Sequence, residues 1–243
     1  MITNQGYIEE NITTDGGNKL NFLWTHGATI KHMGDGIIVY SLIQHMRYKN
    51  CVCIGTGGGY IPRIMTQSRV DLFEQGIFEG NRSANWGDIG ATYVVDPCNG
   101  VGGQSNIDDE NSFYRTHFYP RFIKETSEKA YYDFFVRENI SIDLLFIDGD
   151  HSYEGVKKDF ELYSKLVSEH GMILIHDTDL SYSETLIVSE DAKKDFFPFD
   201  GPARLVKELE YNAEWVVRNL FNYGIIKDKP SSTGLTLIKR KND

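Results

Sequence analysis

The 243 residues suffice for one large α/β domain with decorations, since domains hold about 100–200 residues, and the composition is that of an ordinary globule with no low-complexity tract. The 35 Asp and Glu against 25 Lys and Arg leave a net charge of −10, which argues against general nucleic-acid binding. Three cysteines without a CxxC pair (Cys51, Cys53, Cys98) make no disulfide framework; the N-terminus has neither a basic start nor an apolar core, and no apolar run nears a membrane span, so a cytoplasmic protein is expected.

Residues 1–34 are polar and Gly-rich around the apolar island Phe22-Leu23-Trp24 and read as an arm ahead of one domain over 35–243. Asp35 is placed to cap a helix to about Tyr48, with Ile37, Ile38, Leu42, Ile43 and Met46 at helical spacing. A strand, Cys51 to Ile54, leads into the loop Gly55-Thr56-Gly57-Gly58-Gly59, and Ile61 to Met65 begins another helix with Pro62 in its first turn. Residues 66–90 show no steady period and read as an insertion. Thr92 to Val95 is the next strand, ending at Asp96; Val101 to Asn111 is loop; a strand around Phe118 to Ile123 precedes a helix from about Thr126 to Glu138.

Ile142 to Ile147 is a near-continuous apolar run, as expected of a strand covered on both faces, and it ends in Asp148, Asp150 and His151. Helical spacing predicts a helix over Ser152 to Ser168, stopped by Gly171. A second apolar strand, Met172 to Ile175, delivers His176 and Asp177. Residues 178–201 read as a mixed loop with Phe196, Phe197 and Phe199, and Gly201-Pro202 opens a short helix. AEWVVRNLF and GLTLIKR close the chain as two strands joined by a polar turn. The expected fold is α/β: a doubly wound, Rossmann-like, mostly parallel seven-stranded sheet with an antiparallel C-terminal strand.

Ligand sites in such sheets lie beyond the carboxyl ends of the strands. The glycines at 55, 57, 58 and 59 allow a sharp turn and close approach of a ligand to backbone. A dinucleotide fingerprint would need glycine where Tyr60 stands, and an acid about 20 residues on. The elements that do fit are Gly55-Thr56-Gly57-Gly58-Gly59, then Val94-Val95-Asp96-Pro97, then Ile147-Asp148-Gly149-Asp150-His151. Together they resemble the class I methyltransferases that use S-adenosylmethionine. The nearest likeness is to small-molecule O-methyltransferases carrying an FIDGDHSYEGV segment, a branch that tailors sugars and antibiotics.

The resemblance implies S-adenosylmethionine as cofactor, with Gly55, Thr56, Gly57 and Gly59 under its methionine part. Asp96 would take the ribose hydroxyls, Thr126 and Ser127 would lie near the adenine, and Asp148 would face the cofactor. The family usually has an acid two residues before the first glycine, where this chain has Cys53. The acceptor side is expected in the arm, the 66–90 insertion and the 178–201 loop.

An acceptor hydroxyl must lose a proton, which a base or a metal ion assists. In the metal-free reading His151 is the general base, His176 the reserve, and Asp150 or Asp177 orients an imidazole; a competing role for His151 is at the N-terminus of the helix that follows. Likeness to catechol-type O-methyltransferases instead implies a divalent ion on Asp148, His176 and Asp177. His176 stands where an acid is usual, which weakens magnesium and leaves manganese, iron or zinc. The expected function is methyl transfer to an oxygen of a small polar acceptor, preferably sugar-like, with no nucleic-acid or membrane partner and self-assembly left open. Alternatives are N-methylation of a small amine or amide, a metal-dependent hydrolase built on the Asp/His cluster, and a non-catalytic cofactor binder.

Overall fold

The computed structural model describes residues 26, 33–77, 90–98, 120–179, 200–220, 225–226, 229–230 and 234–241. The chain divides into two compact units, Met1–Thr126 and Ser127–Asp243.

In the first unit, α1 (Gly36–Met46) is followed by β1 (Cys51–Ile54), α2 (Tyr60–Glu74), β2 (Thr92–Val95) and β3 (Arg121–Ile123). β1 and β2 are buried at every position, and β1, β2 and β3 run parallel with Cys53 opposite Val94 and Val94 opposite Phe122. Asp35 does hold the N-cap position of α1, but its carboxylate makes no capping bond.

Residues 66–74, expected to belong to an insertion, complete α2. The apolar period fails there because Thr66, Gln67, Ser68, Arg69 and Asp71 are buried polar residues. Each is matched by a partner: Thr66 Oγ1 donates to the Pro62 carbonyl (2.8 Å), Gln67 to Asp71 (2.6 Å), Ser68 to the Tyr40 carbonyl (3.0 Å), Arg69 to the Lys49 carbonyl (2.7 Å), and Tyr40 Oη to Asp71 (2.5 Å). Satisfied in this way, polar side chains can pack where a hydrophobic pattern predicts none.

The second unit holds α3 (Ser127–Ala130), which continues as a π-helical turn over Tyr131–Val136, then β4 (Ile142–Ile147), α4 (Tyr153–Tyr163), β5 (Val167–His176), α5 (Gly201–Glu210) and β6 (Trp215–Leu220). A minimal hairpin, β7 (Ile225–Ile226) and β8 (Lys229–Pro230), precedes β9 (Leu235–Arg240). α4 ends at Tyr163, earlier than the apolar spacing predicts, because Val167 pairs with Ile142 at the start of β5. Gly171 therefore lies inside β5, beside the register shift between Ile142 and Leu144, where an added Cβ would come within 2.6 Å of Val167 and 3.0 Å of two carbonyl oxygens.

β4 and β5 are parallel, and β9 runs antiparallel to both β5 and β6. Within the first unit the strands follow the order β3-β2-β1, and within the second β4-β5-β9-β6. This is the mostly parallel, Rossmann-like sheet expected, with the C-terminal strand reversed. That strand sits between β5 and β6 and not at an edge. Residues 178–179 are described and 180–199 are not, so the three phenylalanines, the loop over 101–111 and most of the arm fall outside the described residues. No helix among the described residues is long and apolar enough to cross a membrane.

Candidate active site

The chemistry-bearing residues follow strand ends, as the topology requires. In the first unit β1 runs into the glycine loop, whose Gly55, Gly57 and Gly59 have φ of 81°, 47° and 80°. This left-handed region is costly for any residue with a Cβ, so the alternate glycines are a backbone requirement. Among the described residues, a Cβ built on Gly57 or Gly58 would meet nothing within 4 Å, so none of them fills that face of the loop.

The loop is closed from within. Gly55 N–H donates to the Val95 carbonyl (2.9 Å), and Gly59 N–H to the Thr56 carbonyl (2.6 Å). Cys53, buried where an acid was the usual residue, donates its thiol to the Gly55 carbonyl (3.1 Å). Asp96 follows β2 and is itself buried; Oδ2 accepts from Thr56 N–H (2.9 Å) and Thr56 Oγ1 (2.7 Å), and Oδ1 from Cys98 N–H (2.7 Å). A carboxylate has about four acceptor sites, so roughly one remains for a ligand hydroxyl unless Thr56 rotates away.

In the second unit four side chains meet at the ends of β4 and β5. His151 Nε2 lies 3.3 Å from Asp148 Oδ1 and 3.1 Å from Asp177 Oδ2. His176 Nδ1 lies 3.5 Å from Asp148 Oδ1 and 3.3 Å from Asp177 Oδ1. Two carboxylates thus face two imidazoles, and the site is accessible mainly through His151, whose side chain is 25% exposed against 7% for His176.

Burial disfavours the His151 cation, but the Asp148 carboxylate and then the Asp177 charge outweigh it and hold the ring above its ordinary pKa. His176 is raised further above that value, again against burial, by Asp177 and Asp148. Burial works to raise Asp177, yet His176 and His151 together hold it below the usual carboxylate range.

Local sequence builds this arrangement. Ser152 caps α4 through its hydroxyl to Gly155 N–H (3.0 Å). Asp150, a candidate for orienting an imidazole, accepts from Ser152 N–H (2.9 Å) and rests against Gly155, where a Cβ would lie 2.4 Å from its carboxylate. Asp148 and Asp177 contact the rings in its stead. Asp177 has φ 57°, a left-handed conformation that aspartate tolerates better than most residues.

Gly201 is a contributor that sequence reading missed. A Cβ there would come 2.3 Å from the His151 carbonyl oxygen, so the first turn of α5 packs directly on the backbone of His151–Tyr153. Arg204 stacks over the Tyr153 ring at 4.3 Å, and Lys157 bonds Tyr153 Oη (2.7 Å) and Glu208 (3.3 Å), fastening α5 to α4. The Gly-Pro step was the available signal, but it reads as a helix start and says nothing of what lies beneath it.

Ser127 opens α3, and its hydroxyl donates to the buried carboxylate of Asp159. Thr126, its neighbour, is exposed. Ligand atoms of Asp148, His151 and Asp177 all lie within 4.8 Å of one another, close enough to hold a divalent ion. Two oxygens and one nitrogen suit manganese, iron or zinc better than magnesium.

A family model described as a methyltransferase domain matches residues 52–178. An uncharacterised protein of Sinorhizobium fredii is 25% identical over 170 residues, which is 66% of this chain and 16% of that protein; the chain spans only that small part of its relative's length. Among solved structures, the O-methyltransferase TomG of Streptomyces achromogenes, in complex with S-adenosylmethionine, superposes with a TM-score of 0.60 at 12% identity, covering 98% of this chain and 89% of that one. An O-methyltransferase of Bacillus cereus, in complex with S-adenosylhomocysteine, gives 0.58 at 15% identity over 85% of this chain and 80% of that one. The two superpositions agree in fold with the sheet described above, and the family match runs from within β1 past both the glycine loop and Asp177. The chain belongs to the methyltransferase-domain family.

Proposed function

We propose that the protein transfers a methyl group from S-adenosylmethionine to an oxygen of a small polar acceptor, with a sugar or sugar-bearing metabolite preferred, in a reducing compartment such as the cytoplasm. The observation that carries this reading is the imidazole of His151, held at a strand end by two carboxylates. The family match and the left-handed glycine loop support the cofactor assignment.

S-adenosylmethionine supplies an electrophilic methyl group; the chain supplies binding, alignment and a destination for a proton. Gly55, Thr56, Gly57 and Gly59 present backbone to the methionine part, and Asp96 accepts from a ribose hydroxyl at its remaining site. Thr126, Ser127 and Asp148 are assigned to the cofactor on the same family pattern. Alignment of acceptor and methyl group in line can lower a barrier by about 7–11 kcal/mol in the best model systems.

His151 acts as the general base. Its Nε2 faces two carboxylates that only accept, so Nε2 keeps its hydrogen and the acceptor's proton goes to Nδ1. Asp148 and Asp177 then flank the resulting cation, the same contacts that raise the ring's affinity for a proton. His176 shares both carboxylates and is the reserve base.

A second reading is favoured by the convergence of Asp148, His151 and Asp177. Those three, with His176 at hand, would hold a divalent ion, which would act as a Lewis acid lowering the pKa of an acceptor hydroxyl. Incubation with methyl-labelled S-adenosylmethionine and a panel of sugars, phenols and amines, with chelator or with added manganese, tests both. Label in a methyl ether that survives the chelator supports His151 as base. Loss with the chelator and rescue by manganese supports the ion. Label on nitrogen moves the nucleophile, and metal-dependent hydrolysis without the cofactor contradicts the proposal.

A further inference from the structure

The bend at Asp177 poses a question that the strand alone does not answer. β5 pairs with β9 so that Ile175 faces Thr236 and His176 faces Leu235. Continued straight, β5 would carry Thr178 about 10 Å past Thr236, at roughly 3.3 Å per residue, beyond the reach of two short side chains. Yet Thr178 Oγ1 and Thr236 Oγ1 are 2.8 Å apart. The left-handed conformation of Asp177, φ 57°, turns the chain back and makes this contact.

The hydroxyl pair is buried, with Thr236 at 0% and Thr178 at 4% exposure, and it does not end there. Thr236 Oγ1 is also 2.8 Å from Asn219 Oδ1 on β6, and Asn219 Nδ2 donates to Glu210 (2.8 Å). A threonine hydroxyl has one proton. Because the amide oxygen of Asn219 only accepts, Thr236 donates to it, and Thr178 donates to Thr236. The chain of bonds thus has a direction, from Thr178 through Thr236 to Asn219. Gly234, φ 92°, completes the clamp: a Cβ there would lie 2.5 Å from Asp179 N.

We propose that Thr178 and Thr236 are positioning residues: their buried hydroxyl chain fixes the left-handed bend at Asp177 and so sets the carboxylate that His151 and His176 share. Released from Thr236, residue 178 would be free to continue the strand, and Asp177 would relax toward extended backbone. Its Oδ1 and Oδ2 would then no longer bridge the two rings. The inference rests on the proposed function only for what the cluster is used for; the geometry it concerns is independent of it.

Nitrogen-15 NMR of the imidazoles of His151 and His176 in wild type, Thr236→Val and Thr236→Ser tests it. Thr236→Val keeps shape and removes the hydroxyl; both rings are expected to shift toward the signals of free imidazole, and Thr236→Ser to coincide with wild type. Wild-type imidazole signals in Thr236→Val, with only the melting temperature lowered, would overturn the proposal by reducing the threonines to a stability role. Should Thr236→Val fail to fold, Thr178→Ala removes the same bond from its other end and is read in the same way. Calorimetry with S-adenosylhomocysteine on the wild-type protein separates the two readings. Failure to bind it would count against the methyltransferase function and leave the NMR comparison standing.

Discussion

Replacing Asp159 with asparagine is expected to stabilise the protein at neutral pH. Asp159 lies on α4 with 3% exposure, and burial pushes its carboxyl up to about 6 from 3.8, against the opposing hydrogen bond from Ser127 and with a further push from Asp150. Between those values the folded chain binds more protons than the unfolded one, so stability falls as pH rises through the window. By pH 7 the ionised carboxylate costs about 3 kcal/mol, taking roughly two pH units at 1.36 kcal/mol each. Asparagine keeps an acceptor for Ser127 and removes the charge, though its buried amide hydrogens offset part of the gain. A net gain of about 1–2 kcal/mol corresponds to a rise of roughly 2–8 °C in melting temperature for a chain of this size. Urea denaturation of both proteins at pH 7 and pH 5 is the assay. The advantage of the variant should be greater at pH 7 by about 1 kcal/mol, because at pH 5 the folded carboxyl is already largely protonated. An advantage independent of pH, or a variant less stable at both, would refute the reasoning.

His151→Ala should lower methyl transfer by about 10²–10⁴-fold, the usual worth of a general base, while leaving cofactor affinity within a small factor; steady-state kinetics beside calorimetry separates the two. Because Asp148 and Asp177 raise the His151 pKa, transfer should increase with pH through a midpoint above 6.5, and a pH profile flat over pH 6–9 would exclude the ring as base. The same groups stabilise the fold below 6.5, and that contribution is lost as pH rises through the raised pKa. Gly201→Ala would press a methyl group onto the His151 carbonyl, so thermal melting should show a loss of about 1–3 kcal/mol.

Where local backbone demands a particular residue, the sequence was readable. Three alternate glycines at positive φ announce the sharp loop after β1, and the largely apolar runs of β1, β2 and β4 announce buried parallel strands. α2 is obscured because its inner face is polar: Ser68, Arg69 and Asp71 are buried with partners distant in sequence, and Gln67 with Asp71 one turn further on. The length of α4 was misread because Leu166 and Val167 fit a helical period, while long-range pairing with Ile142 claims Val167 for a strand. Position between β5 and β6 is likewise a property of β9's pairing, invisible in LTLIKR itself. The Asp and His residues of the cluster were visible as strand-end residues. Which carboxylate faces which ring was not, since that depends on Ser152 drawing Asp150 onto α4 and on the bend at Asp177.

Calorimetric titration of wild type and Asp96→Ala with S-adenosylmethionine tests the central claim most directly. Asp96 closes the glycine loop through Thr56 and accepts from Cys98 N–H after β2, and in the proposed reading its remaining acceptor site takes a ribose hydroxyl. The account predicts saturable binding to wild type and a loss of at least about tenfold in the variant, the factor corresponding to about 1.4 kcal/mol, just under the roughly 1.5–3 kcal/mol that a hydrogen bond to a charged group is usually worth. Equal affinities, or no binding by the wild-type protein, would contradict it.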